Sequence, residues 1–159
     1  MNILALDLAT TTGWAYKKNK KGRKFNVDSG IVNFSPKRGD SPGVRFLKFR
    51  AWLAKMVKDV KPEIVVYERP HHRGGAATEV LVGLSTRVQE IAAEYKIECQ
   101  AVHSTTLKKF LTGSGKASKK DMINEAKIRF PEQNIVDDNQ ADALGLLSYA
   151  IEIFEYEDK

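Results

Sequence analysis

Two short apolar runs, each ending in a carboxylate, constrain this chain more than any other feature. Ile3-Leu4-Ala5-Leu6 runs directly into Asp7, and Ile64-Val65-Val66-Tyr67 runs into Glu68. An apolar run of this length with no polar alternation fits a strand covered on both faces. A carboxylate at the end of such a strand is costly unless something compensates its charge. For Asp7 two readings stand on the residues alone: an Asx turn capping Thr10-Thr11-Thr12-Gly13, or a charge kept for chemistry.

The rest of the chain arranges itself around these runs. Gly13-Trp14-Ala15-Tyr16 opens a second strand and 25–34 a third, which predicts two hairpins of an antiparallel meander. Ser41-Pro42 reads as an N-cap followed by Pro at the first helical position. Val44, Leu47, Trp52, Leu53, Met56 and Val57 then carry a helix to Val60. Residues 69–77 read as a loop and 97–102 as a strand. Helices are expected over 79–95, 105–111 and 118–130. Asp137 or Asp138 caps a last helix whose apolar stripe is Ala141, Leu144, Leu147, Ile151 and Phe154. Hairpins followed by alternating helices and short strands predict an α/β layer fold: a mixed central sheet with antiparallel N-terminal strands and flanking helices.

The last helix adds two carboxylates. Asp142 lies beyond the first turn, where capping and dipole arguments serve it poorly, and Asp138 is four residues earlier on the same face. Asp138 by itself also suits an ordinary helix start. Carboxylates delivered by separate elements suit Mg²⁺ or Mn²⁺, which favour oxygen ligands and offset the mutual repulsion. A pair of such ions could activate a water and stabilise a leaving oxygen in phosphodiester hydrolysis.

Composition narrows the partners. Lys plus Arg number 26 against 20 Asp plus Glu, a formal net charge of +6 on 159 residues. The positive charge is clustered: six of the eight residues 17–24 are basic (Lys17, Lys18, Lys20, Lys21, Arg23, Lys24), and Lys108, Lys109, Lys116, Lys119 and Lys120 form a second group. Two readings of 17–24 stand, a solvated hairpin turn and a footprint for a phosphate backbone. The single Cys99 excludes an internal disulfide framework, and His71, His72 and His103 lack zinc-ligand spacing. Gly113-Ser114-Gly115-Lys116 lacks the spacer of a phosphate-binding Walker loop, so no nucleotide cofactor is expected. No run approaches the roughly 20 apolar residues of a membrane span. The expectation is one domain over 1–159, in a reducing compartment, with no membrane partner.

The segments LALDLATTTGW (4–14), Val66-Tyr67-Glu68, HSTTLKKFLTGSGKASK (103–119) and Ala141-Asp142-Ala143-Leu144 resemble, in order and spacing, the RuvC-type Holliday-junction resolvases of the ribonuclease-H-like superfamily. The chain's brevity is similar to phage-type members. The resemblance implies a ribonuclease-H-like fold and a divalent-metal-dependent homodimer that cuts symmetric strands of a four-way DNA junction. It implies catalytic, metal-binding roles for Asp7, Glu68 and Asp142. The family's further metal-facing residue falls at Asn139, one position after Asp138; Asp138 is preferred because it shares the face of Asp142, with Asn139 the alternative. Lys108 and Lys119 match lysines near the cleaved phosphate. His71 falls where relatives often carry a base-stacking aromatic, and His72 and Arg73 flank it as further DNA contacts. Other branched or flapped DNA, RNA, and a non-catalytic nucleic-acid scaffold remain as alternatives.

Overall fold

The computed structural model describes residues 1–71 and 74–156. The elements run β1 (Ile3–Asp7), β2 (Thr11–Lys20), β3 (Arg23–Asn33), α1 (Val44–Val60), β4 (Ile64–Glu68), α2 (Gly75–Glu94), β5 (Glu98–Val102), α3 (Ser104–Thr112), α4 (Lys119–Arg129) and α5 (Asp138–Ala150). A π-helical segment, Ile151–Tyr156, continues α5. The strands form one five-stranded sheet in the order β3-β2-β1-β4-β5. β1 pairs antiparallel with β2 and parallel with β4, and β4 pairs parallel with β5, so the expected meander and mixed sheet are both present.

Strand parity sorts the core into two layers. Ile3, Ala5, Ile64 and Val66 face Leu107, Leu111, Met122, Leu144 and Leu147 from α3, α4 and α5. Leu4, Leu6, Val65 and Tyr67 face Phe49, Leu53, Leu84, Val88 and Ile91 from α1 and α2. β1 is therefore central and buried on both sides, which is why its sequence shows no alternation. Each fully buried Leu or Ile contributes roughly 1.5–3 kcal/mol relative to exposure. Among the described residues no helix is long and apolar enough to cross a membrane.

Two helix starts differ from the sequence reading. α1 begins at Val44 with Gly43 as N-cap and no side-chain cap; the Val44 amide instead donates to the Ser41 carbonyl at 3.1 Å, so Ser41-Pro42 forms a turn ahead of the helix. α2 begins a turn earlier than 79, because Gly74 and Gly75 take φ values of 77° and 85° and reverse the chain. That conformation is open to glycine and strained for other residues. The Gly74 carbonyl then accepts from Thr78 Oγ1 at 3.0 Å.

The seat of α5 on the sheet is unusually close. A Cβ on Gly13 would lie 1.9 Å from the Asn139 carbonyl oxygen, so the missing side chain lets the first turn of α5 rest on β2. Buried Gln140 secures the same turn. Its Oε1 accepts from the Val136 amide at 3.0 Å, and its Nε2 donates to Ser29 Oγ at 3.0 Å and to the Asn134 carbonyl at 3.1 Å. Gly13→Ala should cost about 2–3 kcal/mol by overpacking, read as a lower denaturant midpoint with unchanged slope; an unchanged midpoint would mean that α5 is not seated through this contact.

Candidate active site

Parity and register together deliver the first two carboxylates. Asp7 continues the Ile3 and Ala5 face of β1, and Glu68 continues the Ile64 and Val66 face of β4. The parallel register pairs Leu6 with Tyr67, so both acids leave adjacent strand ends on the side covered by α5. α5 supplies the rest. Asp137 is its N-cap and accepts from the Asn139 amide at 2.7 Å, which leaves Asp138 inside the first turn, one turn before Asp142. Of the two capping candidates the structure selects Asp137, and Asp138 is released from that duty.

These acids share one electrostatic field. Burial pushes the Asp7 carboxyl well above the ordinary carboxylate range, and Asp142, Glu68, Asp138 and Asp137 push it in the same direction. Burial, with Glu68 and Asp138, raises Asp142 to about 7, against weaker opposition from Lys119 and Lys108. Asp138 has a partner, Lys119 Nζ at 3.2 Å; the lysine is 84% exposed, so this pair adds little stability. Its hydrogen bond to Asp138 holds the Lys119 ammonium above its usual range. Among the described residues, no three His, Cys, Asp or Glu side chains stand close enough together, as they are, to hold a metal ion.

A cleft of about 230 Å³ opens over the acids, lined by Glu68, Asp142, Lys108, Lys119, His71 and Ser104 among others. A smaller depression of about 130 Å³ continues it past Asp7, Leu8 and Arg69. His71 stands at the junction of the two, its Nε2 4.0 Å from Glu68 Oε1. Sequence reading missed Ser104 and Arg69. Ser104 lies one helical turn before Lys108, a signal that i,i+4 spacing carried, and Arg69 directly follows the strand-terminal Glu.

Other basic residues do not gather here. Lys17 is a correction: it faces the α5 side of β2, is 2% exposed, and pairs with Glu155 at 2.7 Å. A buried ammonium held this way is a structural ion pair and cannot also reach DNA. Lys18 points to the other face and donates to the Asp59 carbonyl at 2.6 Å. The hairpin bearing Lys20, Lys21, Arg23 and Lys24 lies at the far end of the sheet, since Asp7 pairs with Gly13 and Ile3 with Lys17. From Gly13 to Lys20 the strand spans ~23 Å. Lys109 and Lys120 are exposed. Lys116 lines a separate depression with Asp121 and Glu125. His72 and Arg73 lie outside the described residues.

A five-stranded sheet ordered this way, with acids at the ends of its central strands and on the helix across them, is a ribonuclease-H-like fold. No protein-family profile matches the chain. The crossover junction endodeoxyribonuclease RuvC of Rickettsia bellii (strain OSU 85-389) is 24% identical over 149 residues, covering 92% of this chain and 94% of the relative. Thermus thermophilus RuvC superposes with a TM-score of 0.77 at 19% identity, covering 96% of this chain and 95% of the other. The same protein in complex with its Holliday junction substrate gives 0.77 at 18% identity, covering 92% and 90%. The resemblance to RuvC-type resolvases thus extends along nearly the whole chain.

The raised carboxyls set a pH signature. Folded Asp7 and Asp142 keep protons that the unfolded chain, with aspartates near 3.9, releases. The folded state therefore binds more protons between about pH 4 and 7, and its stability falls as pH rises through that window. In EDTA, Asp142→Asn should match the parent Tm at pH 4 and exceed it by about 2–5 °C at pH 8. Parallel Tm curves for the two proteins would remove Asp142 from the repulsive cluster.

Proposed function

We propose that this chain is a divalent-metal-dependent endodeoxyribonuclease that resolves four-way (Holliday) DNA junctions by paired, symmetric phosphodiester hydrolysis, acting as a homodimer of one ribonuclease-H-like domain. One observation carries the reading. Glu68 and Asp142, with Asp7 beside them, converge on a cleft that also receives Lys108 and Lys119. The chain is also similar over 92% of its length to curated crossover junction endodeoxyribonucleases.

The donor set suits a hard cation. It offers oxygen only, and Asp7 and Asp142 are raised by burial and crowding, the field that a divalent charge reverses. Bound Mg²⁺ or Mn²⁺ would polarise the attacking water and offset charge on the leaving oxygen. Asp7, Glu68 and Asp142 would hold the cation, with Asp138 as the fourth donor. Asp138 is favoured over Asn139 because it already contributes to the field at both Asp7 and Asp142.

Lys108, half-buried in the cleft wall, is placed to neutralise the phosphate as negative charge builds on it. Lys119 can exchange Asp138 for a phosphate oxygen without a burial penalty, because its side chain is in water. His71, 59% exposed at the cleft mouth, can stack on an unpaired base. Each protomer offers one such cleft, so two symmetric cuts call for two copies. The hairpin carrying Lys20, Lys21 and Lys24 is too far from the carboxylates to touch the cleaved phosphate and suits a junction arm instead.

Labelled four-way, three-way, flap and linear duplex DNA, beside an RNA–DNA hybrid, test the reading with and without Mg²⁺ or Mn²⁺. The expected result is paired symmetric nicks in the four-way junction only when the cation is present. Equal cutting of all substrates, or of the hybrid alone, would overturn it. Asp7→Asn, Glu68→Gln and Asp142→Asn should each lower cleavage by at least about 10³-fold while junction binding persists. Asp138→Ala should raise the cation concentration needed for half-maximal rate more than Asn139→Ala does; the reverse order would exchange their roles.

A further inference from the structure

A second cleft, of about 410 Å³, lies beyond Asp7 and is lined by Ala9, Thr10, Arg45, Ala76, Ala77, Val80 and Leu81. Leu81 also lines the depression that holds Asp7, Glu68 and Arg69, so the two adjoin across that side chain. Arg45 Nε is buried there and has no hydrogen-bond acceptor, the one such side-chain atom among the described residues. A buried guanidinium N–H without an acceptor is expensive, and an oxygen brought to the site, from water or from an anion, relieves that cost.

The surroundings point the same way. The first-turn amides of α2 have no intrahelical acceptor, and among the described residues neither a side-chain cap nor an acidic first-turn residue answers them. Ala76 and Ala77 keep that turn low enough for a backbone to approach. The neighbouring Phe46 packs against Gly83 of α2, where an added Cβ would lie 2.5 Å from the ring, so the α1 segment that carries Arg45 is docked on α2. The Arg87 guanidinium lies over the Phe46 ring at 5.6 Å.

We propose that Arg45, with Thr10 and the first-turn amides of α2, binds a non-scissile backbone phosphate of the DNA strand whose neighbouring phosphodiester enters the carboxylate cleft. The inference rests on the nuclease reading of that cleft and extends it. A guanidinium offers a planar pair of donors to phosphate oxygens, and helix amides add theirs along the macrodipole. The contact reads no base. It fixes the strand's register, so that the bond delivered to Asp7 and Glu68 is set by spacing along the backbone.

The test uses the full chain and Arg45→Met, which keeps the aliphatic stem and removes the buried donor, with Arg45→Lys beside it. Junction binding is measured in Ca²⁺ between about 50 and 300 mM salt. R45M should bind about tenfold more weakly, with a log–log salt slope shallower by about 1. R45K should recover the slope. KM should rise while kcat stays within about twofold, and the metal-free Tm should hold or increase. Junctions carrying a single methylphosphonate at each position around the cut should show one position that weakens the parent and leaves R45M unaffected.

An unchanged salt slope, equal losses at every methylphosphonate position, or a lower Tm with unaltered binding would overturn the proposal. The same scan on a single-stranded oligonucleotide separates the two readings. If the parent binds that strand with one coupled position but shows no preference for four-way junctions, the phosphate site stands and the resolvase reading falls. If the parent binds neither DNA, both fall.

Discussion

The parallel pairing of β1 with β4 is the constraint on which the site depends. It sets Asp7 and Glu68 side by side at adjacent strand ends, and both-face burial keeps the register from slipping. A one-residue slip would turn Leu4 and Leu6 toward α5 and carry Asp7 into the opposite layer. The core therefore specifies the site directly: the side chains that stabilise the sheet are the ones that hold two like charges next to each other.

α5 completes the arrangement by coming closer to the sheet than a helix ordinarily can. Gly13 sits opposite Asp7 in the ladder and against the Asn139 backbone, so one residue without a side chain links the strand acid to the helix acids. The buried hydrogen bonds of Gln140 resist any tilt of that turn. The outcome is a folded state that accepts repulsion among Asp7, Asp142, Glu68 and Asp138 in one place and offsets it through the two apolar layers elsewhere. Packing does not require repulsion concentrated in this way, and that supports the proposed reading of these acids as one site.

The basic residues divide by position. Lys108 and Lys119 reach the cleft from α3 and α4, Arg45 lines a separate cleft from α1, and the hairpin lysines stand at the opposite end of the sheet. On the proposed reading this separates contacts that act on the cut bond, contacts that set the strand's register, and contacts that hold an arm of the substrate. Net charge reports only their sum, less the acids held for cations.

Local sequence determined the strand ends at Asp7 and Glu68, the meander, the helix that starts at Ser118, and the helical face shared by Asp138 and Asp142. These follow from periodicity and capping, which act over a few residues. Only the tertiary structure decided that Lys17 is buried against Glu155, that the remaining lysines of 17–24 lie far from the carboxylates, and that Arg45 and Ser104 belong near them. A basic run looks the same in sequence whether its side chains face water or the sheet, because strand parity assigns each to a layer and the layers exist only once the helices have packed. The partner of Glu155 and the cleft neighbours of Arg45 lie far away along the chain, and no local pattern encodes a contact that the fold alone brings together.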